Sequence, residues 1–254
     1  MNPLSDLHVI VTGAASGIGR ATSELLVARG AHLLACDLRP RAVEQAVERL
    51  AAIDGPPAWG LAGDVRHAED CDRIAAEAKS RWGRIDALVH CAGVLRPAGG
   101  RPRPLYEIDD EEYDFVIGTN LRGTFLMNRA VLREMVPRKS GQIVNLSSTS
   151  GRRGRALDSV YSASKAGVIG LSESIAEEVR PFGIRVQVLL PDAVDTPLWE
   201  QNGPLPPPPG SLPAERVAEV IAFSLALPED TFCANLVVAP LSVKRMRRRG
   251  RKPG

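Results

Sequence analysis

Thr12-Gly13-Ala14-Ala15-Ser16-Gly17-Ile18-Gly19 follows the apolar run Val9-Ile10-Val11, and behind it Ile18, Ala21, Thr22, Leu25 and Leu26 recur at the spacing of one helix face. The stretch reads as buried strand, tight turn, helix. Three glycines in such a turn let the backbone come close to a ligand, and the free N–H groups at the helix start favour an anion such as a pyrophosphate. The glycines fall as GxxxGxG rather than GxGxxG, and a glycine-rich turn can also be purely steric. A second apolar run, Ala31 to Cys36, ends in Asp37, about where a strand-end carboxylate meets the ribose hydroxyls of NAD. Together the two features predict a dinucleotide site.

Outward from this unit the alternation continues. Pro40 to Ile53 reads as a helix with Val43, Val47 and Leu50 along one side, Ala58 to Ala62 as a short strand leading to Asp64-Val65, and Ala68 to Trp82 as a further helix. Ile85 to Cys91 is a fourth apolar strand. The Pro-, Gly- and Arg-rich stretch from Leu95 to Pro104 reads as a surface loop near the crevice. Asp109 to Met135 reads as one long helix with Asn120 in its middle. Gln142 to Leu146 gives a fifth strand, Asp158 to Arg180 a helix, Ile184 to Leu190 a sixth strand. Pro204 to Pro213 should be irregular, Pro213 to Leu227 helical and Asn235 to Ala239 a seventh strand. Strands separated by helices at this rhythm predict an α/β fold: one Rossmann-like domain over residues 1–243, doubly wound, with seven parallel strands and helices on both faces. A ligand crevice would lie beyond the carboxyl ends of the strands.

With 254 residues the chain can bury one sizeable core, and no repeat or linker divides it. The formal net charge is +2, but Lys244, Arg245, Arg247, Arg248, Arg249, Arg251 and Lys252 crowd into the last eleven positions, so the rest is net acidic. That tail, 244–254, reads as a disordered, solvated end; its sharper reading is an anchor for an anionic surface. Four cysteines without regular spacing give no disulfide framework, and no run of about 18 apolar residues suggests a membrane span. The expectation is a soluble, cytoplasmic protein without a signal peptide.

Ser147-Ser148 stands just past the fifth strand. Tyr161 and Lys165, four apart, project from one face of the following helix. An ammonium beside a phenol favours the phenolate, so Tyr161 is expected to titrate below about 10 and to serve as a general acid or base. Alone, such a pair is commonly an exposed helix contact. Ser162-x-x-Lys165 and His67-x-Glu69 imitate fragments of penicillin-recognising and zinc deaminase motifs, but the remaining parts of those motifs are missing, and no metal site is indicated.

From Leu7 to about Pro240 the chain resembles the short-chain dehydrogenases/reductases. The resemblance rests on Thr12-Gly-x-x-x-Gly-x-Gly19, Asp64-Val65, Ala92-Gly93, Asn120, Ser148, Tyr161-Ser-Ala-Ser-Lys165-Ala-Gly, and Pro191 followed by Val194-Asp-Thr-Pro197. It implies that Tyr161 exchanges a proton with the substrate oxygen, that Ser148 (chosen over Ser147 because Gly151 lies three residues on) hydrogen-bonds that oxygen, and that Lys165 holds the nicotinamide ribose. Asn120 would anchor a water in a proton relay. Gly13, Ser16, Gly17, Ile18 and Gly19 would cradle the cofactor, with Asp64 and Val65 at the adenine, Ala92 and Gly93 near the adenosine ribose, and Thr196 over the carboxamide. Capping and strand termination are the structural alternatives for Asp64, Thr196 and Ala92-Gly93.

Two departures stand out. Cys91 occupies a position where the family usually has Asn, so a strand-bridging hydrogen bond is lost or remade. Asp192 replaces the usual glycine after Pro191, where it could repel an anion, contact substrate or simply face water. Asp37 and the neutral Ser16 favour NAD, while Arg39 and Arg41 keep NADP in play. The expected reaction is hydride transfer between NAD and a secondary alcohol or ketone, with an NADP-dependent ketone or 3-oxoacyl reductase, or a weakly active dinucleotide sensor, as alternatives. The resemblance further implies a homotetramer or dimer through the helices beginning near Asp109 and Asp158. Leu198, Trp199, Leu205 and Leu212 suggest a partly apolar lid over the substrate.

Overall fold

The computed structural model describes residues 3–203 and 206–241; the basic tail and Leu205 lie outside the described residues. Seven parallel strands form the central sheet: β1 (His8–Thr12), β2 (His32–Asp37), β3 (Ala58–Ala62), β4 (Ala87–His90), β5 (Gly141–Leu146), β6 (Ile184–Pro191) and β7 (Asn235–Val238). Their order across the sheet is β3-β2-β1-β4-β5-β6-β7. The order reverses beside β1, so the glycine turn that follows it sits at the topological switch point.

The strands read as continuous apolar runs because both faces are covered. Along β1, Val9 and Val11 join Leu26, Leu33, Val217 and Ile221 on one face, where α1 (Gly17–Ala28) packs beside the last helix, Ala214–Leu225. Ile10, pointing the other way, joins Leu34, Ile74, Leu88, Met127 and Ile143 under α3 (Ala68–Trp82) and α5 (Gly123–Arg138). Each such fully buried aliphatic side chain contributes about 1.5–3 kcal/mol. The predicted α2 is present as Pro40–Ala51, with Pro40 at its first turn.

The long helix expected over 109–135 is interrupted. It comprises α4 (Asp110–Ile117), a π turn over Gly118–Arg122, and α5. Two hydroxyls bond back into this stretch: Thr119 Oγ1 donates to the Phe115 carbonyl at 2.8 Å and Thr124 Oγ1 to that of Asn120 at 2.6 Å. The proline-rich stretch holds one short regular piece, Leu212–Pro213, paired with Val194–Asp195; Leu212 N–H donates to the Ala193 carbonyl at 2.9 Å.

Candidate active site

The carboxyl ends of β1 to β6 open on one cleft of about 660 Å³, lined from Thr12 at one extreme of the sequence to Gln201 at the other. That volume suits a ligand of cofactor size. Gly13, Ser16, Gly17, Ile18, Gly19, Asp37, Asp64, Val65, Ala92, Gly93, Ser148, Tyr161, Lys165 and Thr196 all line it.

The glycine turn is built for close backbone approach. A Cβ at Gly19 would stand 2.1 Å from the Gly13 carbonyl oxygen, and one at Gly13, whose φ is +65°, would stand 2.8 Å from the Ala92 nitrogen. Gly17, with φ +50°, leaves room for the Thr196 side chain 3.1 Å from where its Cβ would be. Ser16 stands at the N-cap of α1 in extended conformation but makes no side-chain cap. The first-turn N–H groups therefore have no side-chain acceptor from Ser16, which fits the turn to a pyrophosphate. Arg49, which no motif marks, braces the turn from α2 by donating to the Ala15 carbonyl at 3.2 Å.

Asp37 accepts from Ala15 N–H at 3.1 Å and from Leu38 N–H at 2.9 Å. It stands at the end of β2 as expected, and it also ties that end to the glycine turn. Asp64 is held by Arg66 in a forked ion pair, Nη2 to Oδ2 2.6 Å, and accepts the Arg66 backbone N–H at 2.9 Å. Burial would raise its carboxyl, but Arg66 outweighs burial and holds it below the usual range. The same guanidinium lies 5.3 Å over the Phe115 ring, closing that end of the cleft. The methyl groups of buried Val65 pack where α5 comes nearest, 2.8 Å from the Cβ position of Gly123.

At the opposite end, Ser148 lines the cleft with Tyr161, where its hydroxyl acts to favour the phenolate, and it accepts Ser150 N–H at 3.1 Å. Lys165 Nζ lies 5.8 Å from the Tyr161 ring centroid. The expectation that this ammonium lowers the phenol is overturned. Burial pushes Tyr161 up to about 12; the Ser148 hydrogen bond and Arg155 act downward and Asp158 upward, and together they do not offset it. The Lys165 ammonium instead donates to the Leu146 carbonyl at 2.8 Å, and burial brings its own titration down to about 8. Asn120, wholly buried in the π turn, clamps Val94: Oδ1 accepts its N–H and Nδ2 donates to its carbonyl, both at 2.8 Å. A Cβ at Gly93 would stand 3.2 Å from Asn120 Oδ1 and 3.3 Å from Lys165 Nζ, so this glycine lets the two groups approach the cleft floor.

The two departures differ in outcome. The Cys91 thiol makes no hydrogen bond among the described residues, and the β1–β4 junction is held by backbone and Thr12 instead: Cys91 N–H donates to the Thr12 carbonyl at 3.2 Å, Ala92 N–H donates to Thr12 Oγ1 at 3.3 Å, and Thr12 Oγ1 also bonds His90 Nδ1 at 2.9 Å. Asp192 does not simply face water. It accepts from Thr149 Oγ1 at 3.0 Å and forms an ion pair with Arg155 across the mouth of the cleft. Nor is the loop from Leu95 wholly on the surface, since Arg96 is 2% exposed and paired with Asp158. Over the substrate end lies a 3₁₀ segment, Pro197–Asn202, with Leu198 and Trp199 in the wall and Trp199 Nε1 donating to the Val194 carbonyl at 2.8 Å.

Residues 7–204 match the family model described as short chain dehydrogenase. The chain is 39% identical over 192 residues to a sorbitol dehydrogenase of Cereibacter sphaeroides, covering 75% of this chain and 72% of that protein. In structure it is similar to a 3-ketoacyl-(acyl-carrier-protein) reductase of Brucella melitensis complexed with NADH (TM-score 0.83, 27% identity, 93% of this chain and 98% of the other). It is likewise similar to a metagenomic short-chain oxidoreductase in complex with NADP (TM-score 0.79, 30% identity, 94% and 99%). Switch-point glycine turn, seven-stranded parallel sheet and Ser-Tyr-Lys cluster thus accompany a family match over most of the chain: this protein belongs to the short-chain dehydrogenases/reductases. It is accordingly an oxidoreductase of the CH–OH/C=O class.

Proposed function

We propose that this protein transfers a hydride between NAD(H) and a ketone or secondary alcohol, with Tyr161 moving the proton. The observation that carries the reading is that Ser148, Tyr161 and Lys165 line one end of a cleft whose other end is the glycine turn. The turn and α1 would hold the pyrophosphate, Asp37 the adenosine ribose, and Asp64 with Val65 the adenine; Ala92, Gly93 and Thr196 complete the bed. When bound, the cofactor supplies or accepts the hydride.

Everything else falls to the chain. Ser148 hydrogen-bonds the substrate oxygen and fixes it against the Tyr161 hydroxyl. Tyr161, a neutral phenol at neutral pH, donates its proton to a carbonyl oxygen as negative charge develops there. Lys165 holds the nicotinamide ribose, and Asn120 anchors the route by which the proton is replaced. Asp37 disfavours a 2′-phosphate by charge, which supports NAD over NADP, although Arg39 lines the same end. Leu198 and Trp199 favour a substrate with an apolar portion. A homo-oligomer built on the α4–α5 side is part of the same reading, supported by exposed Tyr106, Tyr113 and Phe125.

The test is a panel of ketones and secondary alcohols followed by reduced-nicotinamide absorbance, with NAD(H) and NADP(H) in parallel. Tyr161→Phe should lower turnover by about 10²–10⁴-fold while cofactor affinity stays within twofold. Wild-type-like turnover in that variant would sink the mechanism.

A further inference from the structure

Val94, Leu95 and Arg96 leave the end of β4 and reach three separate parts of the site. Val94 is clamped by Asn120 in the π turn. The N–H groups of Leu95 and Arg96 both donate to Oε1 of Gln201 on the segment over the substrate, at 2.7 and 3.2 Å. The Arg96 guanidinium pairs with Asp158, the residue before α6 (Ser159–Val179) and three before Tyr161.

This ion pair is a costly choice. Asp is among the best N-cap residues, yet the Asp158 carboxylate caps no N–H of α6. Arg96 Nε and Nη1 are buried without a partner among the described residues, and a desolvated guanidinium with unmade hydrogen bonds weighs against stability. Starting the helix would have needed only the cap. Asp158 also lines the cleft, on the same helix start as Tyr161.

We propose that Arg96 is a positioning residue for proton transfer at Tyr161: by holding Asp158 it fixes the first turn of α6, offsets a negative charge that faces the phenol, and through Gln201 registers the covering segment against that turn. The inference rests on the reading of Tyr161 as the proton-transfer group. The groups that act on Tyr161 or pack against it are Ser148, Lys165, Asp158 and Arg155, the last tied to Asp192; Cys91 acts on Lys165, which in turn acts on His90 at the end of β4. Of these, Asp158 acts upward on the phenol and Arg155 downward, as charges of those signs at that place require.

The experiment needs no substrate. Tyr106 and Tyr113 are exposed, so Tyr106→Phe and Tyr113→Phe leave Tyr161 as the sole tyrosine. Replacing it with 3,5-difluorotyrosine, whose phenol ionises well below that of tyrosine, brings its titration into the folded range for ¹⁹F NMR. Asp158→Asn should lower the titration by about one unit, Arg96→Met should raise it by a similar amount, and the double variant should fall between. Loss of packing alone would move both single variants the same way, towards the solvent value. If Arg96→Met does not fold, the Asp158→Asn shift decides, with Arg96→Lys expected to leave the titration within a few tenths of a unit. Absence of opposed shifts, or of the Asp158→Asn shift, overturns the proposal. On a substrate found by the panel, Arg96→Met should cut kcat tenfold or more with cofactor affinity unchanged. Turnover retained in Tyr161→Phe would instead overturn the underlying mechanism while leaving the titration result standing.

Discussion

A phenol held near 12 is a ready acid and a reluctant base at neutral pH. The sign of the pH dependence follows. Alcohol oxidation needs the phenolate, so its kcat should climb with pH through the alkaline range, whereas carbonyl reduction should stay level only until Lys165 begins to lose its ammonium near 8. A stopped-flow pH series in both directions checks this; an oxidation rate flat from pH 7 to 10 would contradict it. At the other end of the cleft, Asp37→Ala should shift the NAD-to-NADP ratio of kcat/KM values about tenfold towards NADP, about 1.4 kcal/mol. Because Asp37 also accepts the Ala15 N–H, some loss with both cofactors is expected. The sequence could place Tyr161 and Lys165 on one face because spacing on a helix is geometry. It could not show that the ammonium is engaged by the Leu146 carbonyl, a contact made across the fold. Arg96 was illegible for a similar reason: a stretch of Pro, Gly and Arg reads as surface, and its partner lies 62 residues away.

Among the elements, the strands were the most legible, since parallel strands covered on both faces must be apolar throughout and Gly or Pro punctuates them. The π turn was not. One extra residue in a turn leaves the helical pattern almost intact, and the grip of the Asn120 amide on Val94 that accompanies it is a contact outside the helix. The approach of α6 to the end of β5 also makes a demand that composition hides. A Cβ at Gly151 would stand 2.7 Å from the Lys165 carbonyl carbon and oxygen, and Ser147 Oγ donates to that same carbonyl at 2.8 Å. Gly151→Ala should therefore push α6 outward, cutting turnover by at least tenfold and lowering thermal stability by about 1–3 kcal/mol. Thermal melts and steady-state kinetics measure both; a variant unchanged in each would show that α6 yields without consequence.

For the molecule as a whole, the edge of the sheet opposite the cleft carries its own fastening. Asp86, just before β4, accepts His8 N–H at 3.0 Å and bonds His8 Nδ1 at 2.9 Å, with Arg84 Nε at 3.0 Å and Arg138 Nη2 at 3.2 Å. Burial would raise this carboxyl, but the hydrogen bonds from His8 and the Arg84 guanidinium outweigh it and hold it below the usual range. A carboxyl depressed on folding adds stability above its unfolded pKa and loses it as pH falls through the folded value. Asp86→Asn should thus cost about 1–3 kcal/mol at pH 7, roughly 2–4 °C in Tm per kcal/mol, and the deficit should shrink in acid below pH 4. Equal deficits at pH 7 and pH 3 in calorimetry would remove Asp86 from this role. Light scattering after gel filtration should find a dimer or tetramer, and Phe125→Glu should shift it towards the monomer.

The wall of the cleft begins at Thr12 and ends at Gln201, with contributions from six strand ends in between. A chain arranged in this way gains its working pocket only once the last of those crossovers has docked, because the lining is drawn from segments far apart in the sequence. Split or truncated halves would have to reassemble the whole parallel ladder before either could recover any part of the reaction.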